Sequence, residues 1–201
     1  MSIIPNTQSA KLFLIIATFF VLCLMQGCYT NYSPKPRGYF RISLPAKEYV
    51  TYDSLCPFVL QVPKYSVMTK DEEAGSEPCW LNLHFPHFDA TLHLSYKDIS
   101  QPNELNKSIE DAYRLTYKHV VRAEDIIENT IQTNKAGSGM IYELNGQTAT
   151  FYNFYITDST RHFMRGALYF YAKPNPDSIA PALDFLKKDI NFMLASMKWK
   201  D

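Results

Sequence analysis

A polar cluster between two apolar runs dominates residues 147–171 of the chain. Both runs are rich in aromatic and β-branched residues, which fit the pleated surface of a sheet. The cluster, Thr157–Arg161, holds short polar side chains of the kind that bond back to the local backbone in turns. This pattern predicts two antiparallel strands joined by a short loop. Because the second run is apolar on both faces from Leu168 to Tyr171, we expect it at the centre of a sheet.

Further strands are predicted earlier in the chain. Phe58–Val62 has the composition of a strand. Trp80–Phe85 and Ala90–Tyr96 alternate between polar and apolar residues around Pro86–Asp89, which predicts a hairpin. Lys70–Pro78 is rich in charged residues and predicts a loop.

Asn145-Gly146 predicts another tight hairpin, because both positions of an Asn-Gly turn tolerate a positive φ. The turn would join a strand at Ile141–Leu144 to the strand at Gln147–Ile156. Ahead of it, two glycines predict that Asn134–Met140 is a loop. These segments add strands to the same antiparallel sheet.

Two amphipathic helices are predicted from apolar residues that recur every three or four positions. The first begins with Asn103 as its cap and runs to about Glu128. The second follows a rigid turn at Lys173–Ser178, with Asp177 or Ser178 as its cap. The buried stripe of the first helix is Leu105, Ile109, Ala112, Thr116, Val120, Ala123 and Ile127. That of the second is Ile179, Leu183, Leu186, Ile190, Leu194 and Met197, with Trp199 closing the edge of the core.

The order of elements is strands, a helix, about four antiparallel strands and a final helix, which predicts an α+β fold. We expect an antiparallel sheet with two helices packed on it. This order resembles the Mog1/PsbP-like arrangement, an analogy in fold that says little about function.

The amino terminus has the pattern of an export signal. Lys11 precedes an uninterrupted apolar run from Leu12 to Met25, which as a helix would reach about 21 Å, short of a ~30 Å hydrocarbon core. The run ends in Met25-Gln26-Gly27-Cys28, which resembles the bacterial lipoprotein box. There the cysteine is lipidated and the leader is cut before it. A secretory signal with an incidental cysteine and an uncleaved single-span anchor are the alternatives.

This interpretation divides the chain into a lipoprotein signal peptide at 1–27, a lipidated tether at 28–37 and a single α+β domain at 38–201. Two prolines make the tether stiff and extended. No Asp follows Cys28, so the usual signal for retention at the inner membrane is missing. We expect the protein on the periplasmic face of the outer membrane, with the inner membrane as the alternative.

Composition narrows the choice of function. Twenty basic and 20 acidic side chains balance, and no basic stripe occurs, which argues against nucleic acid as a partner. Apolar residues make up 46% of the chain and aromatic residues 14%, which excludes wholesale disorder.

The cysteines and histidines raise the question of metal binding. Once Cys28 is lipidated and the leader removed, Cys56 and Cys79 remain as an even pair, which predicts a disulfide in an oxidising compartment. A reactive thiol or metal pair is the alternative, but the CxxC spacing is lacking. His84 and His93 share a face of the predicted hairpin, yet no carboxylate or cysteine stands at a matching spacing. We therefore predict no metal site and no cofactor.

Several short motifs occur in a fixed order along the chain. They are Pro34–Ile42, Cys56–Phe58, Cys79–Trp80, Leu94–Lys97, Tyr117–His119, Thr157–Ser159, His162–Phe170, Pro174–Asn175, Asp177–Ser178 and Lys198–Lys200. Together they resemble the GldD family of gliding-motility lipoproteins from Bacteroidetes. The resemblance covers essentially the whole mature chain. It implies a lipoprotein needed for gliding motility and for the associated type IX protein-secretion machinery, with other envelope proteins of that machinery as partners. It implies no catalytic residue.

The first hypothesis is thus a non-enzymatic, lipid-anchored component of an envelope machine. Its candidate contact surfaces combine arginine with aromatic residues, the types enriched at interface hot spots. The residues are Arg37, Tyr39, Phe40, Arg41, Asp158, Ser159, Arg161, His162 and Arg165. The same residues could instead only fill the edge of the sheet.

Two other functions compete with this one. A hydrolase could use Asp158, Ser159 and His162, although three residues in one turn rarely form a triad and no GxSxG motif is present. A ligand-binding lipoprotein could instead line a pocket with aromatic side chains. Those side chains would be Tyr113, Tyr117, Tyr152, Tyr155 and Tyr169.

Overall fold

The structure, a computed structural model, describes residues 7–24, 43–101, 103–118, 123–171 and 176–200. It divides into two compact units, 1–39 and 40–201. The first unit contains helix α1 (Thr7–Leu24), whose side chains from Lys11 to Phe20 are exposed. Within the described residues, no helix has both the length and the apolar character needed to cross a membrane. The predicted lipidation site, the predicted tether and residues 38–42 lie outside the described residues.

The second unit is built on an antiparallel sheet of seven strands in the order β3-β4-β5-β9-β8-β7-β6. Each strand pairs with its neighbours in antiparallel register. The strands are β3 (Val67–Lys70), β4 (Leu81–Phe85), β5 (Ala90–Asp98), β6 (Ala123–Thr133), β7 (Gly137–Gly146), β8 (Thr150–Thr157) and β9 (His162–Phe170). The hairpin β8–β9 predicted from its aromatic runs is confirmed, and β9 occupies the middle of the sheet.

A smaller sheet and two helices complete the described part of this unit. The sheet has the order β1-β2-β10. Its strands are β1 (Tyr49–Asp53), β2 (Phe58–Pro63) and β10 (Lys198–Trp199). The helices are α2 (Glu104–Tyr117) and α3 (Pro176–Ser196), and a short 3-10 turn at Pro86–Phe88 links β4 to β5. The predicted α+β class with antiparallel strands is confirmed.

The two faces of the large sheet are covered differently. Helix α3 and the small sheet pack on one face and enclose the main core. Its most buried members include Phe58, Leu60, Leu92, Leu94, Phe154, Ile156, Leu168, Leu186, Ile190 and Leu194. Helix α2 packs on the other face over a small cluster of Ile99, Ala112 and Phe163. The stripe predicted for α3 is confirmed, with Leu183 only partly buried and Met197 buried just after the helix ends.

The first predicted helix is too long. Helix α2 ends at Tyr117, and Ala123–Thr133 forms strand β6 instead. This strand pairs with β7 from Ala123 to Thr133, so cross-strand pairing outweighs the helical spacing that Ala123 and Ile127 continue by chance. Asn103 precedes the helix in the left-handed conformation, at φ 66°, and its side chain makes no cap bond.

The predicted loop at Asn134–Met140 is also wrong beyond its first three residues. Strand β7 begins at Gly137, and a Cβ added to Gly139 would lie only 1.9 Å from the Tyr155 carbonyl oxygen of β8. These glycines thus serve a close approach of two strands, which only a residue without a side chain permits.

The structure also differs from the sequence prediction at one hairpin turn and at the start of one helix. Asn145 and Gly146 lie within β7 and pair with β6, so the β7–β8 connection runs over residues 147–149. Asp177 and Ser178 lie inside α3, which begins at Pro176. They are therefore first-turn residues of the helix and not its caps, while residues 172–175 lie outside the described chain.

Candidate functional site

The loop between β8 and β9 is held in one conformation by its own polar side chains. Asp158 Oδ1 accepts hydrogen bonds from the backbone N–H groups of Thr160, Arg161 and His162, at 3.0, 2.9 and 2.9 Å. Partial burial raises the pKa of the Asp158 carboxyl, but the backbone bonds outweigh burial and the net pKa is lowered. Ser159 takes a positive φ of 66° and its N–H donates to Thr157 Oγ1. The loop is therefore a rigid turn.

His162 at the end of this loop points into the protein. It is 5% exposed, its Nδ1 shares a hydrogen bond of 2.9 Å with the Tyr96 hydroxyl, and its ring stacks on Trp199 at 5.0 Å between centroids. The Asp158 carboxylate binds the loop backbone and Ser159 is exposed. The three residues of the hydrolase hypothesis are thus close in sequence but are not arranged as a triad.

The predicted contact surface is only partly exposed. Ser159 and Arg161 face solvent, and Arg161 Nε lies 3.7 Å from Asp98 Oδ2 in an exposed ion pair. The prediction is wrong for His162, because this residue is buried and does not belong to the surface. Arg165 is half-buried under α2. The other predicted members, Arg37, Tyr39, Phe40 and Arg41, lie outside the described residues.

A cavity of about 410 Å³ lies between α2 and the strands β5 and β9. Its walls include Trp80, Tyr96, Ser108, Leu115, Phe163 and Arg165. The Trp80 indole is fixed by donating to the Tyr96 carbonyl oxygen at 3.1 Å. Burial lowers the pKa of the Arg165 guanidinium, and no ion pair to it exists within the described residues. The cavity therefore combines an apolar wall with one poorly solvated positive charge.

The sequence did not point to this cavity. Trp80, Ser108 and Arg165 belong to three separate segments, and only the packing of α2 on the sheet brings them together. One signal was present in the helix: Ser108, Ala112 and Thr116 are buried at four-residue spacing, so small and polar residues face the sheet. A stripe of that kind leaves room beside it.

The family of the chain is decided by its match to known sequences. The family model described as gliding motility lipoprotein GldD matches residues 29–199. The chain belongs to the GldD family. It is accordingly a gliding-motility lipoprotein and is associated with the cell envelope.

Comparisons with individual proteins add less. No curated protein matches this GldD-family chain. Among solved structures, the solution structure of cyanobacterial PsbP (CyanoP) from Synechocystis matches with a TM-score of 0.43 and 10% sequence identity. The alignment covers 73% of this chain and 93% of that one.

The five tyrosines of the ligand-binding hypothesis do not share a pocket in the GldD-family chain. Tyr113 and Tyr117 stack on each other at 4.1 Å, and the Tyr117 hydroxyl donates to Glu128 Oε1. Tyr152 is buried and its hydroxyl donates to Asn191, while Tyr169 packs edge-on against His93. Tyr155 lines a separate cavity of about 350 Å³.

The predicted disulfide of the GldD-family chain is present. Cys56 and Cys79 are bonded, with their Cα atoms 5.5 Å apart. One of the two histidines predicted to share a face of the β4–β5 hairpin is held by hydroxyl groups: the His84 ring lies between the hydroxyls of Thr69 and Thr91, at 3.0 and 2.9 Å. Within the part of the chain that the structure describes, no group of three or more His, Cys, Asp or Glu residues could hold a metal ion.

A second polar centre lies on the α3 side of the GldD fold. The Asp189 carboxylate, 1% exposed, accepts hydrogen bonds from Lys47 Nζ at 2.5 Å, Tyr49 at 2.6 Å and Tyr65 at 2.5 Å. Burial and the bond to Asp189 raise the pKa of Tyr49 to about 12, and raise that of Tyr65 further. Both carboxylate oxygens have donors, and the three donors come from the segment around β1 and β2. This centre therefore ties α3 to the small sheet.

Proposed function

We propose that this GldD-family chain is a non-enzymatic component that gliding motility and the associated type IX protein-secretion machinery both require. The observation that carries the proposal is the extent of the family match, residues 29–199, which spans the predicted tether and nearly the whole folded domain. The geometry of the β8–β9 loop supports a non-catalytic role, because Asp158 and His162 are committed to hydrogen bonds within the fold.

The lipid on Cys28 is the second part of the proposal. The family match begins at residue 29, next to Cys28, where the mature chain of a lipoprotein would continue. Each methylene buried in a bilayer contributes ~0.8 kcal/mol, so more than one acyl chain gives stable attachment. We place the protein on the periplasmic face of the outer membrane, since no Asp follows the cysteine.

The candidate contact surfaces for a partner in the machinery are two separate segments. One is the rigid loop that presents Ser159 and Arg161 to solvent. The other is the Arg37–Arg41 segment. A loop fixed by its own hydrogen bonds loses little conformational entropy on binding, and arginine is enriched at interface hot spots.

Deletion of the gene followed by complementation tests the proposal. The deletant should lose both gliding and secretion of type IX substrates, and the wild-type gene should restore them. A Cys28→Ser gene should fail to restore either activity, and the native protein should carry acyl chains on residue 28 by mass spectrometry. The matched control is Cys23→Ser, which alters a cysteine inside the apolar run and should complement fully.

Two outcomes contradict the proposal. Normal secretion in the deletant would remove the link to type IX secretion. Full complementation by Cys28→Ser, with an unmodified residue 28 in the wild type, would remove the anchor. A Ser159→Ala gene should complement, because the loop uses the Ser159 backbone N–H and not its hydroxyl; failure with a folded protein would reopen the hydrolase hypothesis.

A further inference from the structure

Two residues that line the cavity under α2 each have a buried polar atom without a hydrogen-bond partner within the described residues. Arg165 Nε and Ser108 Oγ are both inaccessible to solvent, and neither is bonded to another group within the described residues. Both residues line the same 410 Å³ cavity. An unsatisfied buried donor is costly, so a native protein that keeps two of them around one space usually fills that space with a bonding group.

Among the described residues around the cavity, Arg165 is the cation without an ion-pair partner. Lys97 Nζ lies 2.5 Å from Glu104 Oε2, and Asp111 Oδ1 lies 2.6 Å from Arg114 Nη2, so these charges are paired. His93, which faces Arg165 from β5, has its pKa lowered by burial and is neutral near pH 7. Glu77 is exposed at the cavity wall. Arg165 therefore attracts an anion, while the carboxylates of Glu77 and Asp111 disfavour a second negative charge on it.

The remaining residues of the cavity wall favour an anion with an apolar body. Trp80, Leu115 and Phe163 supply aromatic and aliphatic surface, and Ala112 leaves space beside them. A volume of about 410 Å³ lies in the range of small-molecule sites, which are mostly apolar with a few placed polar groups. The planar fork of an arginine matches a carboxylate in two parallel hydrogen bonds.

We propose that the cavity between α2 and strands β5 and β9 is a binding site for a small monocarboxylate with an aromatic or aliphatic body. The carboxylate binds the Arg165 guanidinium, the Ser108 hydroxyl turns towards it by rotation about the Cα–Cβ bond to donate a hydrogen bond, and the apolar body lies against Trp80 and Phe163. The site is independent of the proposed role in secretion, because it is defined by packing inside the domain.

The test uses 4-fluorophenylacetate as the probe, with binding to the full-length protein in detergent followed by fluorine NMR. The wild type should bind the acid and bind 4-fluorophenylacetamide at least about 10-fold more weakly, since hydrogen bonds to charged groups are the stronger ones. Arg165→Gln should weaken binding of the acid by a similar factor, about 10-fold or more. Protein-free micelles define the background.

The matched control is Arg161→Gln. It removes an arginine four residues earlier whose side chain is exposed and does not line the cavity, so affinity for the acid should stay unchanged. Should Arg165→Gln not fold by circular dichroism, Ser108→Ala replaces it; the loss of one hydrogen bond to the carboxylate should weaken binding of the acid about 10-fold or more.

Four results would overturn the proposal. The first is that the wild type does not bind the acid at millimolar probe, and the second is that it binds the acid and the amide equally. The third is that the folded Arg165 or Ser108 variant binds the acid as tightly as the wild type. The fourth is that equimolar inorganic phosphate displaces the acid. The secretion assay plays no part in this readout, so either proposal can fail without the other.

Discussion

On the α3 face of the large sheet, the buried carboxylate has a full set of partners, and on the α2 face several buried polar atoms have none. Asp189 receives three donors at 2.5–2.6 Å. On the opposite face, no partner within the described residues reaches Asn82 Oδ1, Ser108 Oγ, Asn153 Oδ1 or Arg165 Nε. The large apolar residues are also distributed unevenly between the two faces, because the main core lies on the α3 side.

This difference suggests a division of labour between the faces. A dry core with satisfied polar groups contributes most of the free energy of folding, because burial of apolar area is the main favourable term. Unsatisfied buried groups reduce stability, and native proteins keep them chiefly at sites of function. The following predictions test whether stability depends on the α3 face while the α2 face is held open for binding.

The largest effect is expected from two neighbouring aromatic residues on β8 that point to opposite faces. Phe154 is 1% exposed in the main core, and Phe154→Ala should lower the free energy of unfolding by about 3–5 kcal/mol. Tyr155 is half-buried beside α2, so Tyr155→Ala should cost clearly less. Urea unfolding followed by circular dichroism measures both. Equal losses would contradict the proposed division between the faces.

A smaller loss of stability is expected from a substitution at the polar centre of the α3 face. Asp189→Asn removes the charge that binds Lys47 and both tyrosine hydroxyls, and should lower the free energy of unfolding by about 1–3 kcal/mol. The control is Asp184→Asn, an exposed acid on the same helix, which should change stability little. If the two variants unfolded at the same urea concentration, Asp189 would not be a structural tie.

The sequence predicted the α3 face better than the α2 face, and the physical reason is the range of the interactions involved. Alternation and helical spacing are local, so the hairpin β8–β9 and the stripe from Ile179 to Leu194 could be found. The end of α2 could not be found in this way. Apolar residues continue at helical spacing after it, but their structure is determined by pairing with β7.

The candidate site depends still more on tertiary packing. Arg165 was selected as a surface residue, since nothing local indicates that α2 covers it. His162 was selected beside it, yet the side chain points to the opposite face and joins Tyr96 and Trp199. Adjacent residues of a strand face opposite sides, so a cluster in sequence is divided between two surfaces when it continues into a strand.

Alkaline pH should weaken the polar centre of the α3 face selectively. The folded state raises the pKa of Tyr49 to about 12, so the stabilisation by its neutral hydroxyl is complete below about pH 10 and is lost as pH rises towards 12. Unfolding in urea at several pH values from 9 upward should show stability falling through this interval. Tyr49→Phe should reduce the slope, whereas Tyr171→Phe, at a residue 63% exposed, should not.

The smallest effect on stability, with the opposite sign, is expected on the α2 face. Arg165→Met replaces a half-buried cation that has no ion pair within the described residues by an apolar side chain of similar length. Burying an uncompensated charge is unfavourable, so stability should stay constant or rise by up to about 1 kcal/mol. Arg161→Met, at the exposed end of the loop, should be neutral and serves as the comparison. Unchanged or increased stability would show that folding does not need Arg165, as the proposed binding role expects; a loss of about 2 kcal/mol or more would instead make it a structural residue.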